Sequence, residues 1–241
     1  MPERRFARPR HATVAAALAA LDARFLEECR CWFGGGTRIV LELGEYRESE
    51  DTDFLCASAA GYRTLRSTIS ERSLGRIVAR PLALAREVRA DRYGIRTVLG
   101  AGEAKLKFEI VLEARIELGG GALAGVGVAC LDRASCFAEK LLANADRWRD
   151  NAVLSRDVID LAFMVEHWDK ADAIAGAARA RGAYGNVADR ALCEAAQRLL
   201  DEPAHRRRCI SSLRVVHLKT LAAGLRKLAR KGALGASAPR L

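Results

Sequence analysis

The stretch FGGGTRIVLELGEYRESEDTDF, residues 33–54, sets three glycines ahead of Arg47, Ser49 and two aspartates that flank Thr52. Glycine lets a backbone approach a ligand closely. Residues i and i+2 of a strand share a face, so a strand over 51–58 presents Asp51 and Asp53 side by side. Two carboxylates that close repel unless a cation lies between them, which is the logic of a Mg²⁺ site. The alternative is a Gly-rich turn followed by a solvated acidic bend, because aspartates are common in turns.

Working outward, residues 11–30 are Ala/Leu-rich and predict a helix that Phe33–Gly36 breaks. Thr37 can cap a short helix, TRIVLEL, that stops at Gly44 in the left-handed position helix ends favour. Residues 61–78 predict another helix before Pro81. The strongest period is AKLKFEIVLEARIEL (104–118), in which Lys105, Lys107 and Glu109 alternate with Leu106, Phe108 and Ile110. That alternation predicts a strand with one apolar face, paired with IRTVLG (95–100) across a turn at Gly100-Ala101-Gly102. Gly119–Gly121 end it, and 123–131 predicts one more strand. From Ala134 the pattern is helical to the end. The fold class is therefore α+β, with a mixed strand–helix region over 1–133 and a helical region over 134–241.

The chain has 241 residues, half of them hydrophobic, enough for one good core or two small ones. No apolar run is long enough for a membrane span, and the basic N-terminus lacks the apolar segment of a signal peptide. The seven cysteines form no Cys-x-x-Cys pair and predict reduced thiols in a cytoplasmic protein. Net charge is +10. Ten of the 40 Lys and Arg lie between Ala204 and Leu241, where there is no Asp or Glu; the other thirty are balanced by thirty acids. This basic C-terminal segment is either an electrostatic footprint for a polyanion or a solubilising tail.

The string Gly35, Gly36, Thr37, Gly44, Arg47, Ser49, Glu50, Asp51, Asp53, Phe54 resembles the nucleotidyltransferase core motif. It has the form typical of the AbiEii/AbiGii-type toxin family, GGTxLxxxxGxxRxSEDxDF. Ile39 stands where Leu is usual and Glu48 where an apolar residue is common. KFEI (107–110) matches that family's later acidic strand, with Glu109 in the third metal position. AEKLLANADRWRDNAVLSRDVIDL (138–161) resembles its helical signature, with Lys140, Arg147, Arg156, Asp157 and Asp160 on the matching letters.

The resemblance implies a polymerase β-like mixed sheet flanked by helices, with a helical bundle after it. It implies Mg²⁺, with Mn²⁺ as an alternative, and an NTP substrate. Asp51, Asp53 and Glu109 are then the metal carboxylates, Glu109 doubling as candidate base. Gly35, Gly36, Thr37, Arg47 and Ser49 face the nucleotide, with Lys140 as a phosphate ligand, and Lys140 and Asp157 complete the catalytic set. Each has a structural alternative. Thr37 is a helix cap, Arg47 pairs with Glu50 or Asp51, and Glu109 is a cross-strand partner. Lys140 lies on a solvated stripe, and Asp157 and Asp160 sit at the start of a helix capped by Ser155. The function expected is nucleotide transfer to an acceptor hydroxyl, with the basic segment favouring RNA (tRNA in particular) and an antitoxin as protein partner. The same core could instead modify a small molecule or a protein, or hold NTP or RNA without turnover.

Overall fold

The computed structural model describes residues 6–101 and 104–235. The chain divides into two compact units, residues 1–41 with 49–132, and residues 42–48 with 133–241. Segment 42–48, inside the opening stretch, thus belongs with the helices rather than with the sheet.

In the first unit the Ala/Leu-rich segment is two helices, α1 (Pro9–Leu18) and α2 (Ala23–Glu28), not one. The break comes at Asp22, whose side chain accepts the Phe25 amide at 2.9 Å and starts a new helix. A short buried strand, β1 (Cys31–Phe33), precedes the glycines; three residues are too few to show a period. The helix α3 (Gly35–Glu42) follows, and Gly44 beyond its end has φ +79°. The acidic strand is β2 (Thr52–Cys56). Only the first half of 61–78 is helical, as α4 (Ala59–Ser67), capped by Ser58. Beyond it Thr68, Ser70 and Ser73 make local bonds that compete with helix continuation.

Two short strands, β3 (Ala83–Leu84) and β4 (Arg89–Ala90), pair with β5 (Gly94–Ala101). The alternating segment is β6 (Ala104–Leu112), antiparallel to β5; Gly102 and Glu103 of the expected turn lie outside the described residues. The strand ends at Leu112 rather than 118, because its parallel partner β2 ends at Cys56, opposite Leu112. Alternation in a sequence cannot reveal how long the neighbour is. Gly119–Gly121, expected only as a terminator, lie largely within β7 (Gly120–Ala122), antiparallel to β8 (Ala129–Leu131). The sheet order is β3-β5-β6-β2-β1-β8-β7, with β4 on β5. Phe33, Phe54 and Phe108 pack ring to ring beneath β1, β2 and β6, so the apolar face of the acidic strand anchors the core.

The second unit holds α5 (Arg133–Arg147), α6 (Arg156–His167), α7 (Lys170–Tyr184), α8 (Val187–Asp201), α9 (Pro203–Ser212) and α10 (Leu218–Leu228). Helix α5 packs on α6, α7 and α8, and α10 on α6 and α8. Helix α10 buries Leu221, Leu225 and Leu228 and turns Lys219, Arg226 and Lys227 outward. All seven cysteines are free thiols, six of them buried. Among the described residues no helix is long and apolar enough to cross a membrane.

Candidate active site

Strand β1 delivers the glycines to the acidic strand. Phe33 pairs with Phe54, and the Gly34 amide donates to the Asp53 carbonyl at 2.8 Å. Gly35 then turns the chain at φ +66° into α3. A β-carbon on Gly35 would lie 2.6 Å from Asp53 Oδ2. Backbone and carboxylate therefore pack against each other, which only a residue without a side chain allows. The amides that open α3 have no intrahelical partner and carry the helix's partial positive charge. A carboxylate and a glycine turn whose helix-opening amides can receive an anion are brought to one place.

Thr37 lies inside the first turn of α3, buried, so the cap expected of it does not form. Its hydroxyl shares a 2.8 Å hydrogen bond with that of Ser49, and the Ser49 amide donates to His11 Nε2 at 3.2 Å. His11, fully buried on α1, is a supporting residue that the sequence does not flag, since its distance from Ser49 along the chain leaves no spacing signal.

The carboxylates extend across the sheet. Asp53 is the register partner of Glu109 on β6, and Glu109 of Arg96 on β5, so their side chains share one face. Arg96 Nε donates to Glu109 Oε1 at 2.6 Å, and Lys107 Nζ lies 3.1 Å from Glu109 Oε2. Burial works against the charge of Glu109, but Lys107 and then Arg96 outweigh it and hold its pKa below the ordinary value. Burial likewise opposes the charge of Lys107. The hydrogen bond and charge of Glu109, with the charges of Asp53 and Asp51, nevertheless raise its pKa. The Lys107 ammonium is thus a cation already drawn into the field of all three carboxylates.

Among the described residues no three His, Cys, Asp or Glu side chains are gathered into a metal cage. Mg²⁺ does not need one: it keeps several waters and takes one or two carboxylates together with substrate phosphates. A hard aspartate donor beside the glycine turn and a second two residues before it in the chain, in a field that already attracts an ammonium, fit that ion.

In the second unit the motif residues form a buried ion cluster. Lys140 Nζ sits 2.8 Å from Asp157 Oδ1 and 2.7 Å from Asp160 Oδ2. Arg147 Nε donates to Asp157 Oδ2 at 2.7 Å. The structure gives Arg47 a different partner from Glu50 or Asp51: its Nε and Nη2 donate to Asp160 at 2.7 and 2.8 Å, and its Nη1 to the Glu48 carbonyl. Tyr46 adds its hydroxyl to Asp160 at 2.6 Å and stacks on Phe163. Burial opposes ionisation of both aspartates. The Lys140 and Arg147 charges nonetheless hold Asp157 well below the carboxylate range, and Arg47 and Lys140 lower the pKa of Asp160. Lys140 is buried rather than on a solvated stripe. Ser155 does not cap α6 with its side chain; it has φ +51°, and its hydroxyl meets His205 Nε2 at 2.9 Å.

A mixed sheet carrying an aspartate on a strand, and a second just before that strand, beside a glycine turn that opens a helix is the arrangement of the nucleotidyltransferase class. The family model described as "Nucleotidyl transferase AbiEii toxin, Type IV TA system" matches residues 16–227. The chain belongs to this AbiEii nucleotidyl transferase toxin family. A solved structure, "Crystal structure of JHP933 from Helicobacter pylori", is similar over 93% of this chain and 94% of that one, with a TM-score of 0.54 and 14% identity. At that identity the likeness concerns the fold. No curated protein sequence matches the chain.

Proposed function

We propose that this nucleotidyltransferase moves a nucleotide from an NTP onto a hydroxyl of RNA, and that this is its toxic activity, countered by an antitoxin protein. The observation that carries the reading is the packing of Gly35 against the Asp53 carboxylate, which joins a phosphate-binding turn to a metal-type carboxylate. Gly35 and Gly36 offer backbone amides to the triphosphate, and Thr37 with Ser49 forms a hydroxyl pair close by in the chain. Asp51 and Asp53 would hold Mg²⁺, which when bound neutralises charge on the entering and leaving oxygens.

Glu109 is the third carboxylate. Its carboxylate is already bonded to Arg96 and Lys107, so we assign it to charge stabilisation rather than to base catalysis. Lys140 and Asp157 form an ion pair within the helical unit, and its loss is expected to reduce transfer. The basic C-terminal segment, with exposed Arg207, Arg208, Lys219 and Arg226, supports an RNA acceptor.

The test is to incubate the protein with total RNA and each labelled NTP. Label should enter RNA with one or more NTPs and vanish in Asp51→Ala and Asp53→Ala proteins. Labelled RNA from those variants, or label only on protein or small molecules, would sink the reading.

A further inference from the structure

Beside Asp51 the sheet carries a groove of about 730 Å³, lined by Arg86, Arg89, Arg96, Lys105 and Lys107 against the acidic Glu50, Asp51 and Glu87. It is built by register. Arg89 on β4 pairs with Arg96 on β5, which pairs with Glu109, which pairs with Asp53, giving one row across four strands. Lys105 and Lys107 stand two residues apart on the same face of β6, about 7 Å from each other. Arg96 is paired with Glu109 and Asp91, and Lys107 with Glu109. Arg86, Arg89 and Lys105 are exposed and form no ion pair with another described residue. Arg89, set opposite the already paired Arg96, is left with its own charge uncompensated, and an anion lying over the row would offset it.

The groove's position decides which anion. In the sheet order, β1 and the Gly35 turn lie on one side of β2, and β6, β5 and β4 on the other. Phosphoryl transfer runs in line, with the nucleophile entering opposite the leaving group. If the triphosphate is held on the glycine side, the acceptor must arrive from the groove side. Resting on the reading proposed above, we infer that this groove is the acceptor track and holds the phosphodiester backbone of a single-stranded polynucleotide end through Arg86, Arg89 and Lys105.

The test is binding, read without turnover. Fluorescence anisotropy of a short single-stranded RNA is followed across a salt series for the wild type, for Arg86→Ala/Arg89→Ala/Lys105→Ala and for the charge-retaining Arg86→Lys/Arg89→Lys. Calorimetry measures NTP binding to each, and thermal melts report the fold. Three lost phosphate contacts should flatten the slope of log Kd against log salt by about 2 and weaken RNA binding about ten- to hundredfold. The double Lys variant should bind RNA much as the wild type does, and NTP affinity should be unmoved. RNA affinity and slope unchanged in the triple variant would overturn the inference. So would a loss of NTP affinity as large as that for RNA, which would place the triphosphate in the groove. Because neither readout needs transfer, failure of the labelling experiment and failure of the groove are distinguishable.

Discussion

The Asp53 carboxylate lies so close to Gly35 that a β-carbon there would sit 2.6 Å from Oδ2, at a backbone φ of +66°. Two demands fall on one residue. Gly35→Ala should cost about 1–2 kcal/mol for the left-handed backbone alone and displace the carboxylate as well. Denaturant unfolding should show the loss, and nucleotide transfer should fall further than stability does. An Ala variant with wild-type stability and transfer would remove the basis for joining turn and acid.

Asp51→Asn and Asp53→Asn should leave the fold intact, since each removes a charge from a region of mutual repulsion. Transfer should drop on the order of a thousandfold, the several kcal/mol that metal-held charge supplies. Added Mg²⁺ should raise the melting temperature of the wild type by ligand linkage and have no such effect on the double Asn variant. Equal shifts in both proteins would place the ion elsewhere.

Arg47→Ala should be severe for a residue outside the acidic strand. It leaves the Asp160 carboxylate buried without its bidentate partner, a loss of about 3–5 kcal/mol. Arg47→Lys should recover only part, because an ammonium cannot reproduce the two parallel bonds. Urea unfolding of the three proteins measures this; equal midpoints would contradict the buried cluster.

The same cluster sets an acid limit. Asp157 and Asp160 have folded pKa values below their unfolded ones, so the unfolded chain binds more protons between the two and stability rises with pH there. Their contribution is complete above about pH 4, the ordinary aspartate range, and is lost as pH falls through the folded values. Urea midpoints followed downward in pH should fall steeply below about pH 4, and Asp157→Asn should flatten that limb. A limb of unchanged steepness would assign acid unfolding to other groups.

Glu109→Gln separates charge from shape. It should loosen Arg96 and Lys107, both of which lean on its carboxylate, and lower transfer while keeping the β5–β6 pairing that backbone bonds maintain. If Glu109 were instead a proton acceptor, the pH–rate profile would lose an ionisation with the substitution. The expected result is a lower profile of the same shape.

Much of this was legible in the order of the residues. Local chemistry fixes the glycine turn, the stop at Gly44, the two-faced pattern of β6 and the amphipathic helices, because each depends on neighbours within a few positions. The acidic pair and its spacing from the glycines, together with the helical motif, suffice to point at the family. The tertiary structure decided what depends on partners far along the chain. It ended β6 at Leu112, where β2 stops, and bridged Leu21 to Val78 beside the break between the first two helices. It gave Thr37 to Ser49, Arg47 to Asp160 and Lys140 to two aspartates. It also set Arg89, Arg96, Glu109 and Asp53 in one row, through a cross-strand register that no single strand's pattern records. A sequence states which charges a chain carries; only register and burial determine which of them meet, and the cost of burying a charge alone is why they must.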